Sequence, residues 1–315
     1  MSPDPGRVLV IRGAGALGDV VLSLPVFDAL RSEYPNAHLE IAGTPSMLDI
    51  ARPVADAVAP LPEGFWAVFS DDAEVPESLA AYLGSFDLVV FFASRNHSSV
   101  ARLRALCREV VAIEPLPSEG VHACDWFLSA LEPRGIRGSA VPRVRPNAEA
   151  DEEAARLWSE YGLDGFPCVV GYAPGSGSPK KNWPEEMFLE TVRLLAEETP
   201  SGVLEILGPA ESGEGPPETE ARRAGGMVAR NLPLPVLAGL LRRCSVYLGN
   251  DSGVTHLAAA AGTPTAALFG PTDPSVWGPR GERVAIVAPM DSIELNEVVA
   301  VARTLRTAAM CEALA

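Results

Sequence analysis

Short runs dominated by apolar residues, interleaved with segments of helical length, constrain this chain more than any other feature. RVLVIR (7–12), AHLEIAG (37–43), FDLVVFF (86–92) and EVVAI (109–113) make one round; FPCVVGYAP (166–174), LEILG (204–208), VYLGN (246–250) and TAALFG (265–270) make a second. A strand without polar alternation has both faces covered, as parallel strands do beneath helices. Strand and helix alternating in this way predict a doubly wound α/β fold. Helices are expected from the first glycine turn to about Tyr34, over about 150–161, from Pro184 onward, and over LPVLAGLLRRC and GVTHLAAAA. The last helix is read from a capping box of Asp291 and Glu294, with Ile293, Val298, Val301 or Ala302, and Leu305 as its apolar stripe. Pro25 falls inside the first helix and is expected to kink it.

The two rounds are separated by RGSAVPRVRPNAEA, a stretch rich in Pro, Gly and Arg that reads as a linker. The expected organisation is two Rossmann-like parallel-sheet domains facing a cleft, residues 1–145 and 146–290, followed by a helical segment, 291–315. Ligands in such sheets bind at the carboxyl ends of the strands. The loop GPAESGEGPPETEARRAGG (208–226) is polar and lies between elements.

A net charge of −16 over 315 residues argues against general nucleic-acid binding and against a polybasic membrane anchor. The five cysteines, at 107, 124, 168, 244 and 311, form neither C-x-x-C nor a zinc spacing and read as reduced, buried thiols. The start lacks the basic-then-apolar pattern of a signal peptide, and no apolar run reaches the ~20 residues of a membrane span, so a cytoplasmic protein is expected.

Gly13–Gly18 spells G-A-G-A-L-G after a strand and before a helix, the form of a dinucleotide fingerprint. That reading also wants an acid at the end of the second strand. AHLEIAG ends Ala42–Gly43, and its acid, Glu40, sits inside it. Asp19 follows the third glycine, where its carboxylate would repel a docked pyrophosphate. Three readings of the turn stay open from the residues alone: a helix cap, a general base at Asp19, and a cofactor loop.

Two loops of the second round suit an anion better. In YAPGSGSPKKNWP a glycine-serine turn at a strand end (Gly175, Ser176, Gly177) meets Lys180, Lys181 and a helix start. In LGNDSGVTHLAAAAG, Asp251 or Ser252 caps a helix whose first turn holds Gly253, which leaves room for close approach, and His256 follows one turn on. Asp251, Ser252 and His256 lack the setting of a hydrolase triad. No D-x-D and no metal-ligand spacing occurs, so no metal is expected. Helix N-termini and Lys181 would then stabilise a leaving diphosphate.

Together the three motifs resemble those of glycosyltransferase family 9, the heptosyltransferase family. RGAGALGDVVLSLP matches its first signature, with Arg12, Gly18, Asp19 and Pro25 in place. APGSGSPKKNWP matches the second, and GNDSGVTHLAAAAGTPTAALFGPTDPSVWGP the third and most specific. The similarity spans residues 7 to 300 or so. It implies a GT-B fold, acceptor on the first domain, nucleotide-sugar donor on the second, and an inverting, metal-independent transfer. By resemblance, Asp19 is the general base, Lys181 the donor-phosphate lysine, and Asp251, Ser252, Gly253 and His256 the donor loop. Glu211 matches an acid that contacts the donor nucleoside. The final helix, as in many GT-B enzymes, is expected to cross back onto the first domain. ADP-heptose is favoured as co-substrate and the lipopolysaccharide inner core as acceptor, with transient contact at the inner membrane surface and a monomeric protein.

An anionic acceptor calls for cations on the first domain. SRNHSSVARLRALCREV (94–110) supplies them: Arg95 and His97, in the loop after a strand, are the acceptor candidates, alongside Gly18 of the first turn. Arg102, Arg104 and Arg108 read as a solvated helix face, the last two on one side of it. Two other classes compete with the transferase: an NAD-dependent oxidoreductase using Gly13–Gly18, and a catalytically silent nucleotide-sugar-binding protein.

Overall fold

The computed structural model describes residues 4–13, 15–70, 72–208 and 226–313. The chain divides into two compact units, Met1–Pro142 and Arg143–Ala315. The division falls inside the Pro/Arg-rich stretch read as a linker.

In the first unit, in chain order, lie β1 (Arg7–Arg12), α1 (Leu17–Glu33), β2 (His38–Gly43), α2 (Pro45–Leu48), β3 (Ala57–Pro60), a 3₁₀ turn (Phe65–Phe69), α3 (Glu77–Gly84), β4 (Leu88–Phe92), α4 (Ser98–Leu106), β5 (Val110–Ile113) and α5 (Ala123–Ser129). The strands form one parallel sheet, ordered β3-β2-β1-β4-β5. The order reverses between β1 and β4, so the carboxyl ends of these two strands flank the sheet's topological switch point, the usual ligand position in this architecture. β1 and β4 are buried throughout except for Arg7, as their apolar runs require.

α1 is buried on almost all sides from Val20 to Leu30 and packs against α5. It runs through Pro25, and it meets solvent mainly at its two ends, the first turn and Ser32–Glu33. A helix apolar all round has no free face on which to shift, which fixes where that first turn points.

Asp56, between α2 and β3, ties α1 to the sheet. It accepts the Leu39 backbone N–H at 2.8 Å and the Arg31 guanidinium at 2.5 Å. The Leu39 N–H first, and then Arg31, hold its carboxyl below the usual carboxylate range. A depressed value stabilises the fold above about pH 4 and loses that contribution as pH falls through the folded pKa. Asp56→Asn should therefore melt earlier than the parent at neutral pH, with the gap closing toward about pH 3 in a melting series.

The second unit holds α6 (Ala148–Glu160), β6 (Cys168–Ala173), α7 (Glu185–Glu198), β7 (Ser201–Leu207), β8 (Met227–Arg230), α8 (Leu234–Leu241), β9 (Val246–Asn250), α9 (Gly253–Ala260), β10 (Thr265–Leu268), α10 (Pro274–Trp277), β11 (Val284–Val287) and α11 (Leu295–Ala313). Its sheet is also parallel, ordered β11-β10-β9-β6-β7-β8, with the switch point between β9 and β6. α11 packs on α7, β9, β10 and β11, burying Val298, Val299 and Ala302. The segment read from sequence as a separate piece, 291–315, is thus part of the second unit's own core among the described residues.

The capping box is not formed. Asp291 lies in a 3₁₀ turn (Met290–Ser292), and α11 starts at Leu295, with the Glu297 and Val298 N–H groups bonded to the Glu294 carbonyl. Pro184 stands at the N-cap of α7, one place before the first helical position. Cys107, Cys124, Cys168 and Cys244 are buried thiols; burial pushes the Cys107 thiol up to about 11 and also raises that of Cys244.

Candidate active site

Gly13 follows the carboxyl end of β1, and α1 begins at Leu17 after its N-cap, Ala16. Asp19 occupies the third helical position. Its Oδ2 accepts the Ala16 N–H at 2.8 Å, and its Oδ1 lies 3.9 Å from Arg12 Nη2. The carboxylate is about a third exposed, while the Arg12 side chain is 5% exposed. Arg12 donates from Nε to Ser23 Oγ at 3.1 Å and lies over the Phe92 ring, 4.8 Å from its centroid. Burial lowers the Arg12 pKa, and the Asp19 carboxylate offsets part of that. Gly15 sits at φ +133°, and a Cβ there would stand 3.0 Å from Asp19 Oδ2 and 3.1 Å from Arg12 Nη2. The turn thus needs glycine at this position both for its backbone angle and for the space taken by this pair. Gly18 lies in the same first helical turn.

The requirements of a dinucleotide site are not met on β2. Glu40 is 8% exposed and accepts the Tyr82 hydroxyl at 2.6 Å, so the acid is spent within the unit. β2 ends at Gly43, followed by Thr44 and Pro45.

Of the acceptor candidates, Arg95 is exposed and its backbone N–H reaches Glu114 Oε2 at 3.3 Å. His97 caps α4: its Nδ1 accepts the Ser99 N–H at 3.1 Å. Arg102 donates to the carbonyls of Ser70 and Ala73. Arg104 is exposed on α4, but Arg108 lies beyond that helix, which ends at Leu106, and pairs with Asp87 at 3.0 Å. The face expected to carry both arginines is therefore not continuous.

In the second unit, the loops after β6 and β9 meet at the switch point. Lys181, the last residue of a 3₁₀ turn (Pro179–Lys181), donates from Nζ to Asp251 Oδ2 at 2.7 Å. Asp251 is nearly buried and the Lys181 side chain about a third exposed. Asn250, wholly buried at the end of β9, holds both ends of the glycine-serine loop. Its Nδ2 donates to the Pro174 carbonyl at 2.6 Å, and its Oδ1 accepts the Trp183 N–H at 2.9 Å. Ser176 Oγ accepts the Ser178 N–H at 3.2 Å and lies 2.6 Å from Asn182 Oδ1. A Cβ on Gly177 would meet nothing within 4 Å, so the space beside it is open. Gly175 and Ser176 are half-buried between Pro174 and Gly177.

Ser252 is the N-cap of α9 and Gly253 its first residue, so the N–H groups of this turn point out of the helix. His256 is 5% exposed in α9, with its backbone N–H bonded to the Ser252 carbonyl at 3.2 Å. Glu211 lies outside the described residues. Asn250 was not singled out from the sequence, although its place as the last residue of VYLGN marks it. The described residues hold no group of three or more His, Cys, Asp or Glu arranged to hold a metal ion.

Thr255 Oγ donates to the Asn250 carbonyl at 2.5 Å and lies 3.3 Å from the Tyr247 hydroxyl. Both would be struck by a Cβ on Gly249, at 2.4 Å from Tyr247 Oη and 2.5 Å from Thr255 Oγ1. Gly249→Ala should cost roughly 1–3 kcal/mol, the usual penalty of overpacking. A melting measurement would show the loss, and an unchanged transition would mean that this turn has slack.

An architecture of two doubly wound parallel sheets, with a lysine and helix N-termini at one switch point and a fixed carboxylate at the other, fits enzymes that act on phosphorylated donors. The sequence profile of glycosyltransferase family 9 (heptosyltransferase) matches residues 144–303, and the chain belongs to that family. It is 26% identical over 308 residues to lipopolysaccharide heptosyltransferase 2 of Escherichia coli K12, covering 89% of this chain and 87% of that protein. Its fold is similar to the glycosyltransferase family 9 structure from Veillonella parvula, with a TM-score of 0.78 at 19% identity over 98% and 99% of the two chains. It is also similar to the E. coli ADP-heptose lps heptosyltransferase II, with a TM-score of 0.71 at 18% identity over 96% and 99%. The protein is a heptosyltransferase-like glycosyltransferase with the GT-B type of α/β fold.

Proposed function

We propose that this enzyme transfers a heptose from ADP-heptose to a hydroxyl of the lipopolysaccharide inner core, with inversion and without a metal ion. The observation that carries the donor half is the meeting of Lys181 with the Asp251–Gly253 turn at the β6/β9 switch point. A diphosphate seated there would face the lysine ammonium and the backbone N–H groups of Gly175–Gly177 and Ser252–Gly253. Asp251 keeps Lys181 aimed, and His256 supports the donor turn from inside α9. The similar proteins act on lipopolysaccharide and, in one case, ADP-heptose by name, which favours these substrates over other nucleotide sugars.

In the reaction, the acceptor hydroxyl oxygen attacks the anomeric carbon as the bond from that carbon to the diphosphate oxygen breaks. Asp19 takes the hydroxyl proton. The diphosphate leaves with its charge against Lys181 and the loop N–H groups. An ordinary aspartate is a weak base (pKa about 4), so the proton moves late, when bond formation has made the hydroxyl acidic. One displacement on the face opposite the leaving group inverts the anomeric centre. Gly18, Arg95 and His97 form the proposed acceptor side.

Melting shifts with ADP-, UDP-, GDP- and TDP-sugars, followed by a single-turnover assay with ADP-heptose, test the reading. ADP-heptose should give the largest shift and a transferred sugar of inverted configuration. A larger shift with another base would overturn the donor assignment. Tight binding with no transfer to any inner-core acceptor would favour the silent binding protein.

A further inference from the structure

The first unit carries a cavity of about 210 Å³ at its own switch point, between the ends of β1 and β4. Gly13 and Leu61 form one side. Phe65, Trp66, Phe69 and Phe91 form most of the rest. The rings pack edge to face: Phe69 lies 6.0 Å from Phe91 and 5.6 Å from His97, both T-shaped, and Phe65 lies 6.0 Å from Phe91. Trp66 is 69% exposed and Phe69 38% exposed, so two ring surfaces remain open to a ligand. Phe92, also in the wall, lies against the Arg12 guanidinium that stands beside Asp19. The cavity is thereby joined to the proposed base through one side chain.

Its chemistry is uncharged. No lysine, arginine or carboxylate is among the lining residues. Two nearby cations are directed elsewhere, Arg102 to the Ser70 and Ala73 carbonyls and Arg12 to Ser23 and Phe92, and the exposed Arg95, between Ser94 and His97, is not part of the lining. The polar groups in the wall are Ser94 and His97. Because His97 Nδ1 accepts the Ser99 N–H, the neutral ring carries its proton on Nε2, a donor for a hydroxyl. Open aromatic faces with a hydroxyl-directed donor suit the C–H face of a neutral pyranose ring, and the lining residues offer no lysine or arginine to an anionic one.

The geometry points to an acceptor subsite that binds a neutral pyranose by stacking on Trp66 and Phe69, with His97 Nε2–H directed to one of its hydroxyls. Assigning it to the acceptor rests on the transferase reading; the sugar-binding chemistry of the cavity does not. The subsite places the neutral ring, rather than the acid groups of an inner-core acceptor, beside the reacting end of the first unit.

Saturation-transfer NMR titrations of the full chain with methyl α-D-glucopyranoside and with its C6 carboxylate counterpart, methyl α-D-glucopyranosiduronate, test the proposal. The neutral glycoside should bind, with saturation strongest on its axial C–H protons, and the uronate should bind more weakly. Trp66→Ala and Phe69→Ala should each weaken the neutral glycoside about two- to tenfold, while Trp66→Phe keeps most of the binding. Melting curves confirm that these exposed-residue variants are folded. Equal saturation in parent and Trp66→Ala, or a preference for the uronate, would overturn the subsite. An ADP-heptose melting shift on the same samples separates the two claims. If it persists while the glycoside fails, the subsite falls and the transferase reading stands. If the shift is absent but the glycoside binds, the transferase reading falls and the cavity remains a sugar site.

Discussion

Asp19→Asn is expected to lower turnover by about 10²–10⁴ while leaving the affinity for ADP-heptose unchanged. The amide keeps an oxygen that can accept the Ala16 N–H, so the cap seen at 2.8 Å survives the substitution. It has no basicity to take a proton. The variant therefore separates the two jobs this carboxylate can hold, which alanine would remove together. The partnership with Arg12 weakens, but Arg12 retains Ser23 and the Phe92 ring, so the melting temperature should fall only slightly. Full turnover in Asp19→Asn would reduce Asp19 to a helix cap and remove the proposed mechanism. Single-turnover rates at saturating donor, with donor affinity measured separately, give the answer.

Lys181→Ala has the second-largest expected effect, and it falls on the donor. A charge-assisted hydrogen bond contributes roughly 1.5–3 kcal/mol, which corresponds to about ten- to hundredfold in the dissociation constant of ADP-heptose. The substitution also strips Asp251 of its 2.7 Å partner, leaving a nearly buried carboxylate beside the site where the diphosphate is proposed to sit. That repels the ligand further and costs stability. Pairing Lys181→Ala with Asp251→Asn removes the stranded charge. The double variant should recover most of the lost melting temperature and little of the donor affinity. Donor affinity restored to the parent level would mean that the lysine acts only by neutralising Asp251. Isothermal titration on both variants distinguishes these outcomes.

The sequence made the sheet interiors legible and left their borders dark. β1, β4, β6 and β9 are buried on both faces, and that burial writes itself as uninterrupted apolar residues. Ala57–Pro60, Met227–Arg230 and Val284–Val287 are four-residue edge strands, half-exposed for much of their length. Each is only four residues long: AVAP ends in proline, MVAR ends in arginine, and VAIV, though apolar, runs straight into Ala288–Pro289, so none has the length of run by which the interior strands stand out. The glycine turn, Lys181 and the Asp251–Gly253 turn were readable because anion sites at helix starts need small residues and a cation in a fixed order.

Asn250 and the aromatic cavity were harder to see for a different reason. Asn250 acts by bonding to Pro174 and Trp183, which are distant in sequence. The cavity gathers Gly13, Phe65–Phe69 and Phe91–His97 from three separate segments. FWAVF was an available signal, since exposed aromatics beside a strand end have to be explained by something they touch. The misplaced start of α11 shows the opposite failure. A local motif over Asp291 and Glu294 looked complete, yet the chain spends those residues on a 3₁₀ turn before the helix begins.

The single amide that clasps both ends of the Pro174–Trp183 loop has a thermodynamic corollary. A free loop would have to be ordered each time a ligand arrived, and the lost freedom would be subtracted from the binding energy. Here that ordering is done once, when the protein folds. Association at this loop should therefore carry a small entropic penalty, and Asn250→Ala should transfer the ordering cost from folding to each binding event.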